Sequence, residues 1–202
     1  MLLGKIELVA AAGVDWIQLR EKDLSGRSSA SLVREALRLV SIQPGHAPAA
    51  VRILVNDRLD VAIAEQAGGV HLGESSLRVE DAKRLLAESR AEQTPSHDFI
   101  LGVSCHSLEA AQSAATAGAD YIFFGPVFAT PSKAAYGAPQ GLDHLAKVCA
   151  SVTIPVLAIG GITLENASAC FSAGVAGIAA IRLFQDSTDP SGLVRALRQL
   201  TF

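Results

Sequence analysis

The stretch Tyr121-Ile-Phe-Phe-Gly-Pro-Val-Phe-Ala-Thr-Pro-Ser-Lys133 decides how the rest of the chain is read. It opens as an unbroken apolar run, the pattern of a strand covered on both faces. The run breaks at Gly125-Pro126, where the backbone must leave the sheet. Beyond the break come Thr130, Ser132 and Lys133, two hydroxyls and a flexible cation within four residues. A buried strand that opens into a small cationic loop is how a parallel α/β protein builds an anion-binding rim. Every α/β protein has polar loops after its strands, so this loop gains meaning only if the chain repeats the arrangement.

It does. Working back from the stretch, Phe99 to Val103 ends at Ser104-Cys105-His106, and Gly69-Val-His-Leu-Gly73 opens into Glu74-Ser75-Ser76. Val51 to Val55 runs into Asn56-Asp57-Arg58, and Val14 to Leu19 delivers Arg20-Glu21-Lys22-Asp23. Working forward, Pro155 to Ile159 feeds Gly160-Gly161, and Gly177 to Ile181 feeds Arg182. Helical apolar spacing fills the intervals, over residues 1–13 and about 28–41, 59–67, 78–89, 108–117, 142–151, 164–173 and 191–200.

A helix after every strand implies a right-handed parallel sheet. Seven consecutive units, with no nucleotide-type glycine fingerprint after an early strand, favour a (β/α)8 TIM barrel over an open doubly wound sheet. No linker or low-complexity segment divides the 202 residues, so a single barrel domain over 1–202 is expected. The series starts with a helix, which leaves the first strand of the barrel missing. Either an eighth strand precedes residue 1, or the barrel is open there. A chain of 202 residues, below the roughly 250 usual for the fold, agrees with a lean or truncated barrel.

Half of the residues are hydrophobic and only 5% aromatic, which suits a parallel sheet beneath Ala/Leu-rich helices. A net charge of -3 argues against nucleic acid or an anionic membrane as partner, so any affinity for anions must be local. The cysteines Cys105, Cys149 and Cys170 are odd in number and lack metal-ligand spacing, which reads as reduced thiols in a cytoplasmic protein. Met1 to Lys5 lacks the regions of a signal peptide, and no apolar run approaches ~20 residues, so no membrane partner is expected. An open barrel edge would favour contact with a second copy.

In a barrel the carboxyl ends of all strands meet on one face, where active sites of this fold sit. Collected there are Gln18, Arg20, Lys22, Asn56, Asp57, His71, Glu74, Ser104, Thr130, Ser132, Lys133, Gly160, Gly161 and Arg182. Several cations, one or two carboxylates and small donors fit a phosphorylated small-molecule ligand, with a divalent cation held by a carboxylate. Gly160-Gly161-Ile162, near a helix start, matches the place where barrels bind a phosphate monoester through backbone N–H groups.

Each piece also has a plainer reading. Gly160-Gly161 could be only a tight turn, and Asn56-Asp57 could simply cap the next helix. His71 in its apolar strand reads as a satisfied, partly buried histidine, and Cys105 as inert packing. Arg20 to Asp23 mixes signs, as a solvated loop does. The plainer readings weaken only when all the pieces share a face.

Gln18-Leu-Arg-Glu-Lys-Asp23, Asn56-Asp57-Arg58, Gly69-Val-His-Leu-Gly73, Gly102-Val-Ser104, Asp120-Tyr121, Gly125-Pro126 with Thr130-Pro-Ser-Lys133, and Ala158-Ile-Gly-Gly-Ile162 fall in a specific order and spacing. In that combination the chain, from about residue 6 to 184, resembles the thiamine-phosphate synthase family. The resemblance implies a (β/α)8 transferase that joins 4-amino-2-methyl-5-pyrimidinylmethyl diphosphate to a thiazole phosphate, releasing pyrophosphate with Mg²⁺. It implies that Arg20, Lys22, Asn56, Ser104 and Lys133 hold the diphosphate, with Lys133, Ser104 and Arg20 acting in catalysis. Gln18 would touch the pyrimidine. Thr130 and Ser132 would contact the thiazole phosphate, which would rest on Gly160, Gly161 and the Ile181-Arg182 loop. Asp57 would bind the metal.

Three departures from the family pattern bear on activity. Ser76 stands where the family carries a second metal-binding Asp, leaving Glu74 as the nearby substitute. Arg182 stands where a small hydroxyl residue is usual. The first strand, which contributes to the pyrimidine side of the pocket, is missing. Two alternatives follow from the same resemblance: a thiazole tautomerase-like enzyme, which also often lacks the metal acids, and a non-catalytic binder of thiamine precursors.

Overall fold

The computed structural model describes residues 2–41, 51–90, 99–130 and 138–200. The chain forms two compact units, Met1–Leu101 and Gly102–Phe202. The first unit runs α1 (Leu2–Ala11), β1 (Trp16–Leu19), α2 (Gly26–Ser41), β2 (Arg52–Asn56), α3 (Leu59–Ala64), β3 (Gly69–Leu72) and α4 (Val79–Arg90). Strand β4 (Ile100–Cys105) begins at its end and continues into the second unit. There follow α5 (Leu108–Thr116), β5 (Tyr121–Phe124), α6 (Gly141–Ser151), β6 (Val156–Ile159), α7 (Leu164–Ser172), β7 (Gly177–Ala179), α8 (Arg182–Gln185) and α9 (Pro190–Arg198).

Among the described residues there are seven strands, each beside its neighbour in sequence, in the order β1 to β7. In the first unit Ile17 lies against Ile53 and Asn56 against His71, both in parallel register. In the second, Ser104 lies against Phe123, Phe124 against Ala158, and Ile159 against Ala179. All four residues of β3 and of β5 are buried, so neither strand alternates apolar and polar residues. This is the β/α barrel class of fold, with a helix preceding its first described strand, as the sequence implies.

The longer helices turn apolar residues inward. Helix α1 buries Ile6 and Ala10 and stops before Gly13, whose φ of 86° is the left-handed conformation of a helix C-terminus. Helix α2 buries Val33, Ala36 and Leu39, at three-residue spacing. Side chains of the second unit interlock where a glycine leaves room. A Cβ on Gly102 would lie 2.0 Å from the ring of Tyr121, so the tyrosine fills the space that the glycine vacates.

Several boundaries differ from the sequence reading. Strand β4 carries on through Ser104 and Cys105 rather than ending at Val103, because these residues still pair with Phe123 and Phe124. Strand β7 stops at Ala179, short of Ile181, and the chain then winds into α8, too short for any periodic signal. Helix α3 ends at Ala64, with Gln66 in the left-handed region at φ 52°. The expected loop over 43–48 and the polar stretch 91–97 lie outside the described residues.

Candidate active site

In the first unit the ends of β1, β2 and β3 carry the polar groups. Gln18 donates through Nε2 to Asn56 Oδ1 at 3.0 Å, which fixes both amides between adjacent strands. The next residue, Asp57, donates its N–H to the His71 carbonyl at 2.9 Å and takes a left-handed φ of 63°. Aspartate adopts that conformation more readily than most residues, because its short carboxylate can bond locally.

Asp57 does not cap the helix that follows. The residue before α3 is Arg58, which makes no side-chain cap. The Asp57 carboxylate turns the other way, and its Oδ1 accepts hydrogen bonds from the Ser76 hydroxyl and from the Gly73 N–H, the latter at 3.3 Å. The Gly73 N–H also reaches Ser76 Oγ at 2.7 Å. Ser76 therefore closes a compact ring with Asp57 and Gly73. Arg58 is drawn away to Asp60, at 2.6 Å, and plays no part in it.

His71 is only 2% exposed, and burial pushes its pKa down to about 4, with Arg20 reinforcing the shift and Asp57 opposing it. The plainer reading of His71 thus holds: its ring is buried, and burial favours the neutral form. Arg20, Lys22 and Glu74 are exposed.

Among the described residues no group of three or more His, Cys, Asp or Glu side chains gathers as a metal cage. Asp57, His71 and Glu74 are therefore not such a set. Magnesium commonly keeps several waters and uses one or two carboxylates with substrate phosphates. An exposed Asp57 carboxylate fits that narrower role.

In the second unit β4 presents Ser104, half-buried, and then His106, whose Nδ1 bonds the Gly125 carbonyl. The segment after β5 packs on the end of β6. Val127 donates to the Ile159 carbonyl at 2.9 Å and Phe128 to the Gly160 carbonyl at 3.0 Å. Gly160 and Gly161 have φ of 96° and 66°, and a Cβ on either would strike Pro126 at 2.5 Å or the Ala129 carbonyl at 2.7 Å. The double glycine is thus required both by conformation and by close approach. Among the described residues neither glycine N–H has a hydrogen-bond acceptor, the arrangement of an anion-binding nest. Asn166 ties the turn down, donating to the Gly161 carbonyl at 2.9 Å and accepting from the Thr163 N–H at 2.8 Å.

Arg182, the first residue of α8, donates through Nη2 to Thr130 Oγ1 at 3.0 Å. Ile181 precedes it and is 58% exposed, an apolar side chain left open beside this pair. Thr130 adjoins Ala129, which packs on Gly161, so hydroxyl, guanidinium and nest share one neighbourhood of the unit. Ser132 and Lys133 lie outside the described residues. Sequence reasoning gave no role to His106 or Asn166. An Asn three residues after Thr163 was a legible capping signal, whereas the histidine's partner lies 19 residues away.

A β/α barrel-class fold with polar groups at its strand ends is the setting of an enzyme that acts on small molecules. The chain belongs to the thiamine monophosphate synthase family (TMP-TENI), whose model matches residues 1–184.

The thiamine-phosphate synthase of Roseiflexus sp. strain RS-1 is 40% identical over 194 residues, covering 95% of this chain and 76% of the relative. That of Methanoculleus marisnigri is 41% identical over 191 residues, covering 95% and 83%. The solved thiamine phosphate pyrophosphorylase of Pyrococcus furiosus superposes with a TM-score of 0.81 at 32% identity, over 98% of this chain and 88% of that one. Thiamine-phosphate synthesis, a transfer reaction between small molecules, is the activity these likenesses support.

Proposed function

We propose that this chain joins 4-amino-2-methyl-5-pyrimidinylmethyl diphosphate to a thiazole phosphate, forming thiamine phosphate and pyrophosphate. The match of residues 1–184 to the family model carries the reading. The bond from the pyrimidine methylene to the diphosphate oxygen breaks, the oxygen leaving with the electron pair. The thiazole nitrogen lone pair then forms the new C–N bond. Such a reaction calls for cations around the leaving group and orientation of the nucleophile more than for acid–base groups.

In this reading Arg20, Lys22, Asn56, Ser104 and Lys133 hold the diphosphate, and Gln18, locked to Asn56, faces the pyrimidine. The thiazole phosphate takes the N–H groups of Gly160 and Gly161, with Thr130, Ser132, Ile181 and Arg182 around it. Asp57 after β2, with Glu74 after β3 as a second carboxylate, would hold Mg²⁺, which when bound would supply charge neutralisation at the diphosphate. Ser76 favours a second reading, a thiazole tautomerase-like enzyme that works by proton transfer without a metal, because it bonds the Asp57 carboxylate that a metal would use.

The setting is cytoplasmic. All three cysteines are free, and among the described residues no helix is long and apolar enough to cross a membrane. Both substrates with Mg²⁺ should yield thiamine phosphate, measured after oxidation to its fluorescent product, and a chelator should abolish it. Activity on the thiazole alone that survives the chelator would instead establish the tautomerase reading.

A further inference from the structure

We propose that His106 is a positioning residue: its ring holds the Gly125 carbonyl and so sets the segment that carries Thr130. The proposal rests on the synthase reading for its kinetic consequence but not for its structural one. Gly125 is gripped on three sides. Its N–H reaches the Cys105 carbonyl at 3.4 Å, its carbonyl accepts from His106 Nδ1, and a Cβ would lie 2.0 Å from the Ile159 carbonyl. The first two contacts come from the end of β4 and the third from the end of β6.

From there the backbone has little freedom. Val127 and Phe128 are bonded to Ile159 and Gly160, and the Pro126 and Val127 carbonyls accept from Gln140 and Gly141 at 2.8 and 3.1 Å, at the start of α6. The orientation of the Gly125 carbonyl is thus the first setting in a series that ends at Thr130 and its bond to Arg182. Its only side-chain anchor among the described residues is His106.

A carbonyl can only accept, so Nδ1 carries the proton. That fixes the neutral tautomer as Nδ1–H, and the imidazolium keeps the same donor. The anchor therefore works in both protonation states. This separates His106 from an acid or base, whose loss would remove a limb of the pH–rate profile.

Three measurements test the proposal. In the long-range ¹H–¹⁵N spectrum of the five histidine rings, the signal lost in His106→Asn should show the Nδ1–H tautomer; an Nε2–H tautomer overturns the proposal whatever the enzyme's activity. His106→Ala should lower kcat/KM about tenfold, while His106→Asn, whose amide can still donate to the carbonyl, should recover most of it. The pH profile should keep its shape in both. An unimpaired His106→Ala, or a His106→Asn that loses one limb of the profile, refutes positioning. Should His106→Ala fail to fold, the spectrum and His106→Asn decide. If the wild type gives no thiamine phosphate, the synthase reading has failed, and the tautomer still reports on His106.

Discussion

Replacing Ser76 by aspartate reverses the local electrostatics around Asp57 in a way that can be measured. In the protein as it stands, the Ser76 hydroxyl donates to Asp57 Oδ1, so the site holds one carboxylate and a neutral donor. A carboxylate at position 76 would stand about 4 Å from that of Asp57. Two like charges at that distance repel by about 1 kcal/mol in water and about 4 kcal/mol at an effective dielectric of 20. Asp57 is exposed, so the lower figure applies, and the ion-free variant should melt about 2–4 °C below the parent.

A divalent ion between the two carboxylates turns that cost into a gain. The added attraction, twice the unit-charge figure, is about 2 kcal/mol, or roughly thirtyfold in affinity. Titration with Mn²⁺, followed by the loss of its free paramagnetic signal, should show that gain, and the variant's melting temperature should rise with the ion while the parent's hardly responds. A Ser76→Asp variant that binds Mn²⁺ no better than the parent would refute the placement of the ion at Asp57.

Two further outcomes follow from the same geometry. The pKa of His71 lies at about 4 in the folded chain against 6.5 for the free side chain, so the unfolded chain takes up the proton first. Its contribution is intact above pH 6.5 and is lost as pH falls towards 4, by about 1.4 kcal/mol per unit and about 3 kcal/mol in all. Denaturant melts at pH 7 and 4.5 should show that loss in the parent and a flatter response in His71→Gln. Arg182→Ala should raise KM for the thiazole phosphate about tenfold with kcat little changed, and Arg182→Lys should recover only part of it, since the ammonium lacks the planar fork. Equal KM values in all three would remove Arg182 from the phosphate site.

The strands were legible because β3 and β5 are buried along their whole length, and an apolar run between glycines announces that directly. The polar residues after them were legible as a set because the fold class assigns strand ends to one role. What stayed hidden was non-local. The direction of the Asp57 carboxylate depends on a left-handed turn and on a serine 19 residues away. The demand for glycine at 160 and 161 comes as much from Pro126 and Ala129 as from any ligand. Arg182 was placed correctly after β7, but its hydroxyl partner lies 52 residues earlier in the chain. No periodicity or spacing rule reports such contacts.

The titratable groups set one limit on the chemistry. The burial that perturbs His71, Cys170 and Tyr121 drives each towards its uncharged form: the histidine falls to about 4, the Cys170 thiol rises to about 11 with Cys149 nearby, and the Tyr121 hydroxyl rises as well. A site built for proton abstraction or nucleophilic attack does the opposite, tuning a group towards the operating pH or towards its reactive form. By contrast Arg20, Lys22, Asp57 and Arg182 stand exposed. Fixed charge with inert acid–base groups suits a reaction whose barrier is the departure of an anion and whose nucleophile arrives with its own lone pair. An isomerisation by proton transfer would need a group that titrates near neutrality, which the buried His71, Cys170 and Tyr121 do not offer. In the proposed reaction a leaving diphosphate would bring its own phosphate oxygens to an ion, so a single carboxylate such as Asp57, bonded by Ser76, would suffice.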